Sequence, residues 1–171
     1  MKRFLIANTI CIVTISLFFI ALSIFNLSLF AESREDIMMK RLIKILNRQR
    51  ASGGVCGERF YRPSNPLKWD NRLAKAASVH ASDMAKEDRL SHNGRDGSDP
   101  GERIRSAGYR WKAFGENIGE GYKTPDDIFR AWMKSEGHCK NIMNPLFKDV
   151  GTSRIINGEK TYWVLVLATP Y

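Results

Sequence analysis

The chain has 171 residues, a formal net charge of +9 and three cysteines. About 140 residues remain beyond an apolar N-terminal stretch, which is enough for one domain and one core. The basic residues are scattered and form no recognised nucleic-acid motif, so we expect no nucleic-acid partner.

The N-terminal stretch predicts export. Residues 4–31 contain no charged side chain and follow two basic residues, a pattern typical of a signal peptide or an N-terminal membrane anchor. The run reaches the roughly 20 residues that span a bilayer, and Leu29 is large where cleavage after Ala31 favours a small residue. Both possibilities stay open for residues 1–31. In either case residues 32–171 are expected outside the cytoplasm, secreted or anchored only through the N-terminal segment.

The exported part carries a net charge of about +7. This charge favours adhesion to anionic lipid headgroups or acidic wall polymers, whereas the scattering of the basic residues favours an ordinary solvated surface. Cys56 and Cys139 remain in this part without a CxxC motif, and an even count in an oxidising compartment predicts one disulfide. Closing a loop of about 84 residues would stabilise the fold by roughly 4.5 kcal/mol in the chain-entropy model.

The first half of the exported part predicts two long helices. Apolar residues recur at helical spacing over 34–50, with arginine and lysine on the other face. Residues 55–68 are rich in Gly, Pro and Asn and are predicted to form a loop that carries Cys56. Asp70 is a candidate N-cap of the second helix, and His80 lies on its apolar face. A histidine there is more often a core residue than a ligand.

Capping patterns predict two further helices. Asp99-Pro100-Gly101-Glu102 opens a short helix that ends at about Ala107, before Gly108. Thr124-Pro125-Asp126-Asp127 opens another. Between these helices, Gly115-Glu116-Asn117-Ile118 follows a short extended segment.

The C-terminal residues predict a hairpin. Its strands are expected at 150–156 and 160–168, joined by a type I′ turn at Asn157-Gly158. Because residues 162–167 are apolar throughout, the last strand is expected to be central and covered on both faces. Helices alternating with few strands predict an α/β fold, a three-layer α-β-α sandwich.

Five short motifs stand in a characteristic order, together with Trp132. They are Leu46-Asn47-Arg48-Gln49-Arg50, Leu67-Lys68-Trp69-Asp70, Ser91-His92-Asn93-Gly94, Gly115-Glu116-Asn117-Ile118 and the run Gly137-His138-Cys139-Lys140-Asn141-Ile142-Met143-Asn144-Pro145. The order resembles the CAP superfamily, which groups cysteine-rich secretory proteins, antigen 5 and class 1 pathogenesis-related proteins. It is most similar to the bacterial, exported SCP-type branch, and the similarity runs from about residue 37 to 171.

The resemblance implies an α-β-α sandwich with a central cleft lined by two histidines and two acidic residues. By motif, the histidines are His92 and His138, and one acid is Glu116. The second acid of the eukaryotic members falls on Ser135 here, with Glu136 one residue later. Either Glu136 reaches the cleft, or Ser135 occupies the fourth position.

These residue types are compatible with three hypotheses for the role of the cleft. Neutral imidazoles with one or two carboxylates are ligands for Zn²⁺ or another divalent cation. The same groups suit a general acid/base pair, or a hydrogen-bonded cluster that only joins loops. A disulfide would remove Cys139, the one candidate thiol, as a nucleophile, but a metal-bound water would replace it.

We therefore expect an exported CAP/SCP-type domain that binds a divalent cation, a small ligand or a partner outside the cytoplasm. The partner could be a lipid, a wall polymer or a protein, and the sequence shows no apolar stripe assignable to a lipid groove. The alternative is a metal-dependent hydrolase that acts on peptide or cell-wall material.

Overall fold

The computed structural model describes residues 33–171, and the signal peptide or anchor predicted for residues 1–31 lies outside that range. No helix within the described range is long and apolar enough to cross a membrane. The described helices are α1 (Arg34–Ser52), α2 (Asn71–Glu87), α3 (Pro100–Ser106), α4 (Pro125–Lys134) and α5 (Glu136–Met143). The strands are β1 (Gly54–Cys56), β2 (Arg59–Tyr61), β3 (Lys68–Trp69), β4 (Trp111–Glu120), β5 (Asp149–Asn157) and β6 (Lys160–Pro170).

The main sheet has four strands in the order β3-β5-β6-β4. β6 pairs antiparallel with both β4 and β5, and β3 pairs parallel with β5. Every residue from 161 to 168 is buried, which confirms the prediction of a central last strand covered on both faces. β4 lies at one edge of the sheet.

The two faces of β6 bury alternate residues, as a strand between two layers must. On one face, Tyr162, Val164 and Val166 pack with the apolar sides of α2 and α3. On the other, Trp163, Leu165 and Leu167 pack with α1, α4 and α5. The predicted three-layer α-β-α sandwich is confirmed.

α2 packs unusually close to the sheet. A Cβ at Gly151 of β5 would lie 2.0 Å from the backbone nitrogen of Ala74 in α2. Such a contact is impossible for any side chain, so glycine is required where the helix backbone meets the strand. The small side chains of Ala76, Ala77 and Ala81 are also buried in α2 and pack in the same core as the strand residues of that face.

The predicted helix starts are confirmed. Asp70 accepts hydrogen bonds from the backbone N–H groups of Arg72 and Leu73 at the start of α2. Asp99 forms the expected capping box with Glu102, and the Thr124 side chain accepts from the Asp127 N–H. Each cap satisfies donors that the first turn of a helix leaves without a partner.

Two local predictions were wrong. Residues 55–68 are not all loop, because they include most of the β1–β2 hairpin and begin β3. The extended segment expected before residue 115 continues through residues 115–118, so Glu116 lies within β4, opposite Val166 in the ladder. The hairpin turn is Gly158-Glu159, since Asn157 pairs with Lys160 and only Gly158 takes a positive φ, of 59°. The Asn157 side chain instead donates to the carbonyl of Ala85 at 2.7 Å, which fixes it against α2.

Arg50 departs from the polar face that the amphipathic pattern of α1 predicts. It is fully buried, and its guanidinium donates to the carbonyls of Asn65, Ile142, Asn144 and Phe147. Burial lowers the pKa of this guanidinium. The carbonyl contacts replace water as its hydrogen-bond partners and join α1 to the segment that follows α5.

Candidate functional site

The edge strand β4 carries the residues at the centre of the site. Glu116 is buried, with its side chain 3% exposed, and by strand alternation it lies on the same face as Ile118, which packs with α2 and α3. Asn117 is fully buried and lies on the opposite face, toward α5. Consecutive residues of one strand therefore connect with both helical layers.

Glu116 orients His92. Its Oε1 lies 2.8 Å from Nδ1 of His92. An ionised carboxylate can only accept a hydrogen bond, so Nδ1 carries the proton and donates. In the neutral imidazole, Nε2 then keeps its lone pair. The His92 side chain is 52% exposed, so this nitrogen belongs to a ring that solvent and ligands can reach.

Arg103 of α3 completes the anchoring of Glu116. Its guanidinium, 4% exposed, donates to Glu116 Oε2 at 2.9 Å and to the backbone carbonyls of His92 at 2.9 Å and Ser98 at 2.6 Å. Both carboxylate oxygens of Glu116 are therefore engaged by protein groups. Arg103 was not predicted from the sequence. The only signal was indirect: a buried carboxylate needs a cation, but the short helix contains both Arg103 and Arg105, and nothing in the sequence distinguishes them.

His80 of α2 lies behind the pair, as a core residue, in agreement with the interpretation preferred from the sequence. Its side chain is fully buried, and Nε2 is 3.7 Å from Glu116 Oε1. Burial lowers the pKa of His80, although the charge of Glu116 acts in the opposite direction. The ring is therefore neutral at neutral pH.

His138 of α5 approaches from the other helical layer. It is half-buried, and its pKa is lowered by burial and by the charge of His92. The His138 carbonyl accepts from the Asn117 side chain at 3.0 Å. Asn141, one turn later, donates to Asn117 Oδ1 at 2.8 Å and to the Glu116 carbonyl at 3.2 Å. These amides fix α5 against β4.

The predicted disulfide is confirmed. Cys56 and Cys139 are joined, with their Cα atoms 5.5 Å apart. The bond attaches the residue after His138 to β1, and both cysteines lie in the core. Because a disulfide sulfur is not a thiolate, Cys139 cannot act as a nucleophile in this form.

The two candidates for the fourth position lie in different surroundings. The Glu136 carboxylate is exposed, pairs with Lys140 at 2.5 Å and lies against Gly57 in the β1–β2 turn. Ser135 occupies the N-cap position of α5, but its side chain makes no capping hydrogen bond. Within residues 33–171, no group of three or more His, Cys, Asp or Glu residues is arranged to hold a metal ion.

Comparisons with known proteins agree with this architecture. The uncharacterized protein YkwD of Bacillus subtilis (strain 168) is 32% identical over 134 residues, which cover 78% of this chain and 49% of YkwD. An extracellular SCP-domain protein of Bacillus anthracis superposes with a TM-score of 0.68 and 22% identity over 79% of this chain and 41% of that one. NaASP2, whose structure is described with Zn²⁺, superposes with a TM-score of 0.51 and 15% identity over 78% of this chain and 83% of that one.

The chain thus spans about half the length of YkwD. The model of the cysteine-rich secretory protein family matches residues 57–167, from the β1–β2 turn to the middle of the last strand. That range contains Glu116, both exposed or half-buried histidines and the buried arginine of the site. The chain belongs to the CAP family of cysteine-rich secretory proteins.

Proposed function

We propose that the protein is an exported binding module, and that His92 and His138 together take a divalent cation of the Zn²⁺ class. The contact between Glu116 and His92 carries the proposal. A carboxylate that accepts from Nδ1 fixes the tautomer and leaves Nε2 as a donor atom, which is the arrangement commonly found behind metal-binding histidines. His138 adds a second imidazole whose lowered pKa keeps it neutral, as a ligand must be.

The donor set fits a weak cation site rather than a structural one. The two imidazoles suit Zn²⁺, Cu²⁺ or Ni²⁺, but Glu116 holds His92 and Arg103 with its two oxygens. Glu116 therefore acts as the orienting group and not as a ligand, which differs from the ligand role that the residue types suggested for it. Water or a ligand group would supply the remaining positions, so the cation would exchange readily.

The proposed binding module acts outside the cytoplasm. The pattern of residues 1–31 predicts export, and disulfides such as Cys56–Cys139 persist in oxidising compartments. NaASP2 shares only the fold at 15% identity, but its description with Zn²⁺ makes that cation the first probe to use.

Calorimetry with Zn²⁺ tests the site. The full chain in non-ionic detergent should give a saturable heat that the His92→Ala, His138→Ala variant loses. Glu136→Gln and Ser135→Ala are matched controls for the fourth position, and both should retain the heat, because Glu136 pairs with Lys140 instead. Equal heat from the double variant and the unmodified chain would refute cation binding at these histidines. Loss of heat in Glu136→Gln would make that residue a ligand.

A second candidate function rests on the same contact. A carboxylate bonded to an exposed imidazole is also the arrangement of a general base, so a hydrolase acting on peptide or cell-wall material is the alternative. If the protein is such a hydrolase, it should release product from a panel of peptides and wall fragments, and the Glu116→Ala variant should not. If no product is released from the panel, the hydrolase is refuted and the binding module is the remaining proposal.

A further inference from the structure

A second surface, on the layer that contains α1 and α4, is distinct from the histidine site. Two clefts of about 580 Å³ and 270 Å³ adjoin there and share Arg130. We name this surface the basic groove and define it by its six cationic side chains: Arg41, Lys44 and Arg48 of α1, Lys123 before α4, and Arg130 and Lys134 of α4.

Two carboxylates in the groove are already occupied. Asp126 accepts from Arg41 at 2.6 and 2.8 Å through both oxygens. Asp127 accepts from Arg130 and from the Thr124 hydroxyl. These carboxylates cancel two of the six positive charges and have no free oxygen for the others.

The other four cations of the groove face solvent without a counter-charge: Lys44, Arg48, Lys123 and Lys134. None of them is within ion-pair distance of a carboxylate in the described residues. Lys44 and Arg48 are four residues apart on α1, where like charges repel and destabilise a helix. An anionic partner would remove this repulsion.

The shape of the groove distinguishes between anionic partners. Along α1 and α4 the cations recur at steps of three or four residues, which correspond to a rise of about 4.5–6 Å. One small anion can engage only one or two of them, whereas a chain with regularly repeated anions can follow the whole row. A bilayer is flat on this scale, whereas these cations surround two shallow depressions that a narrow chain can enter.

The floor of the groove is partly apolar. Ile45 and Phe129 line one cleft and Tyr122 lines the other, and all three are partly exposed. Such a floor accepts the uncharged carbon backbone between successive anions. The two aromatic rings, Phe129 and Tyr122, line different clefts, whereas single-stranded nucleic acids stack successive bases on neighbouring rings.

We infer that the basic groove binds a linear polyol-phosphate polymer, in which phosphodiester anions alternate with short uncharged polyol units. Phosphodiesters suit the groove because they stay ionised, and arginine and lysine are the side chains that recognise phosphate oxygens. This inference does not depend on the cation site, since the groove shares no residue with it.

Fluorescence anisotropy with labelled poly(glycerol phosphate) tests the inference, using the full chain in non-ionic detergent with EDTA present. The unmodified chain should bind, and Lys44→Glu, Arg48→Glu, Lys134→Glu should weaken binding by about tenfold or more. The slope of log affinity against log salt should fall by about 2, since roughly three phosphate contacts are lost. The matched control is Lys75→Glu, Lys86→Glu, Arg89→Glu, which makes the same charge change on and just beyond α2 and should bind within about twofold of the unmodified chain.

Three outcomes would overturn the inference. They are no binding by the unmodified chain, equal weakening by the α2 control, and stronger binding to phosphatidylglycerol vesicles or single-stranded DNA than to the polymer. Inorganic phosphate should compete only poorly, because it cannot reach several cations at once. A Lys44→Gln, Arg48→Gln, Lys134→Gln variant avoids charge reversal and should also lose affinity, which separates lost contacts from repulsion by the introduced glutamates.

Discussion

Arg103 donates to Oε2 of Glu116 at 2.9 Å while His92 occupies Oε1 at 2.8 Å, so one buried carboxylate joins a buried cation to an exposed imidazole. Arg103 also donates to the His92 backbone carbonyl. Arg103 therefore positions His92 in two ways. It holds the His92 backbone directly, and it holds the His92 ring through Glu116. Orientation of the exposed ring depends on a residue that no ligand touches.

Arg103→Met should lower the free energy of unfolding by about 3 kcal/mol or more, because it leaves Glu116 charged, buried and without its cation. Urea denaturation measures the effect. The matched control is Arg105→Met, on the same helix, where the guanidinium is exposed and lies 5.4 Å from the Trp111 ring. It should cost about 1 kcal/mol or less. Equal losses in the two variants would show that Arg103 has no special role.

Removal of the disulfide should be costly but should preserve the fold. Cys56→Ala with Cys139→Ala should reduce the free energy of unfolding by about 2–4 kcal/mol, since the denatured chain gains freedom when the loop opens. Denaturation with and without dithiothreitol is the measurement. The reductant should destabilise the unmodified chain and leave the double variant unchanged. If dithiothreitol also destabilised the double variant, its effect on the unmodified chain could not be attributed to the Cys56–Cys139 disulfide.

Acid should destabilise the protein first through histidines. His80 and His138 have folded-state pKa values below their ordinary value of 6.5. Below pH 6.5 the unfolded chain therefore binds protons that the folded chain does not, and stability falls until the pH passes the lowered values. Each histidine contributes a slope of up to about 1.4 kcal/mol per pH unit.

The pH range in which stability is lost distinguishes the histidines from the carboxylates. Arg72 and Arg41 lower the pKa values of Asp70 and Asp126, and the stability from those groups is lost only below about pH 4. Unfolding free energies should therefore fall between pH 6.5 and 5 in the unmodified chain, and the fall should be much smaller in His80→Phe, His138→Phe. The same decline in the variant would contradict neutral histidines in the folded state.

Local features were predictable from the sequence because their causes are local. The caps at Asp70, Asp99 and Thr124 each satisfy donors two or three residues away, so a short motif contains both partners. The central position of β6 followed from an uninterrupted apolar run, since only a strand covered on both faces can bury every residue.

Buried arginines were not predictable. Amphipathic periodicity assigns a basic residue to the solvent, but Arg50 is buried by carbonyls up to 97 residues away. Arg103 is buried because Glu116 and the carbonyl of His92 converge on it. Their partners come together only when three layers assemble, and no spacing in the sequence records that.

The candidate site stays a prediction. The Glu116–His92 contact does join two residues that the family resemblance placed in one site. The fourth position stays a prediction, although the Glu136 carboxylate contacts Lys140. A helix turn that begins at residue 136 directs consecutive side chains about 100° apart, so moving the acid by one residue changes its surroundings completely.

The most direct measurement is a nitrogen-detected NMR spectrum of the three histidine side chains during a Zn²⁺ titration. We expect His92 to be the Nδ1–H tautomer before zinc is added, because Glu116 accepts from that nitrogen. On titration, the signals of His92 Nε2 and the His138 ring should shift together, while His80 stays unchanged in the core. An Nε2–H tautomer at His92, or no shift at His92 and His138, would contradict zinc binding by an imidazole that Glu116 orients.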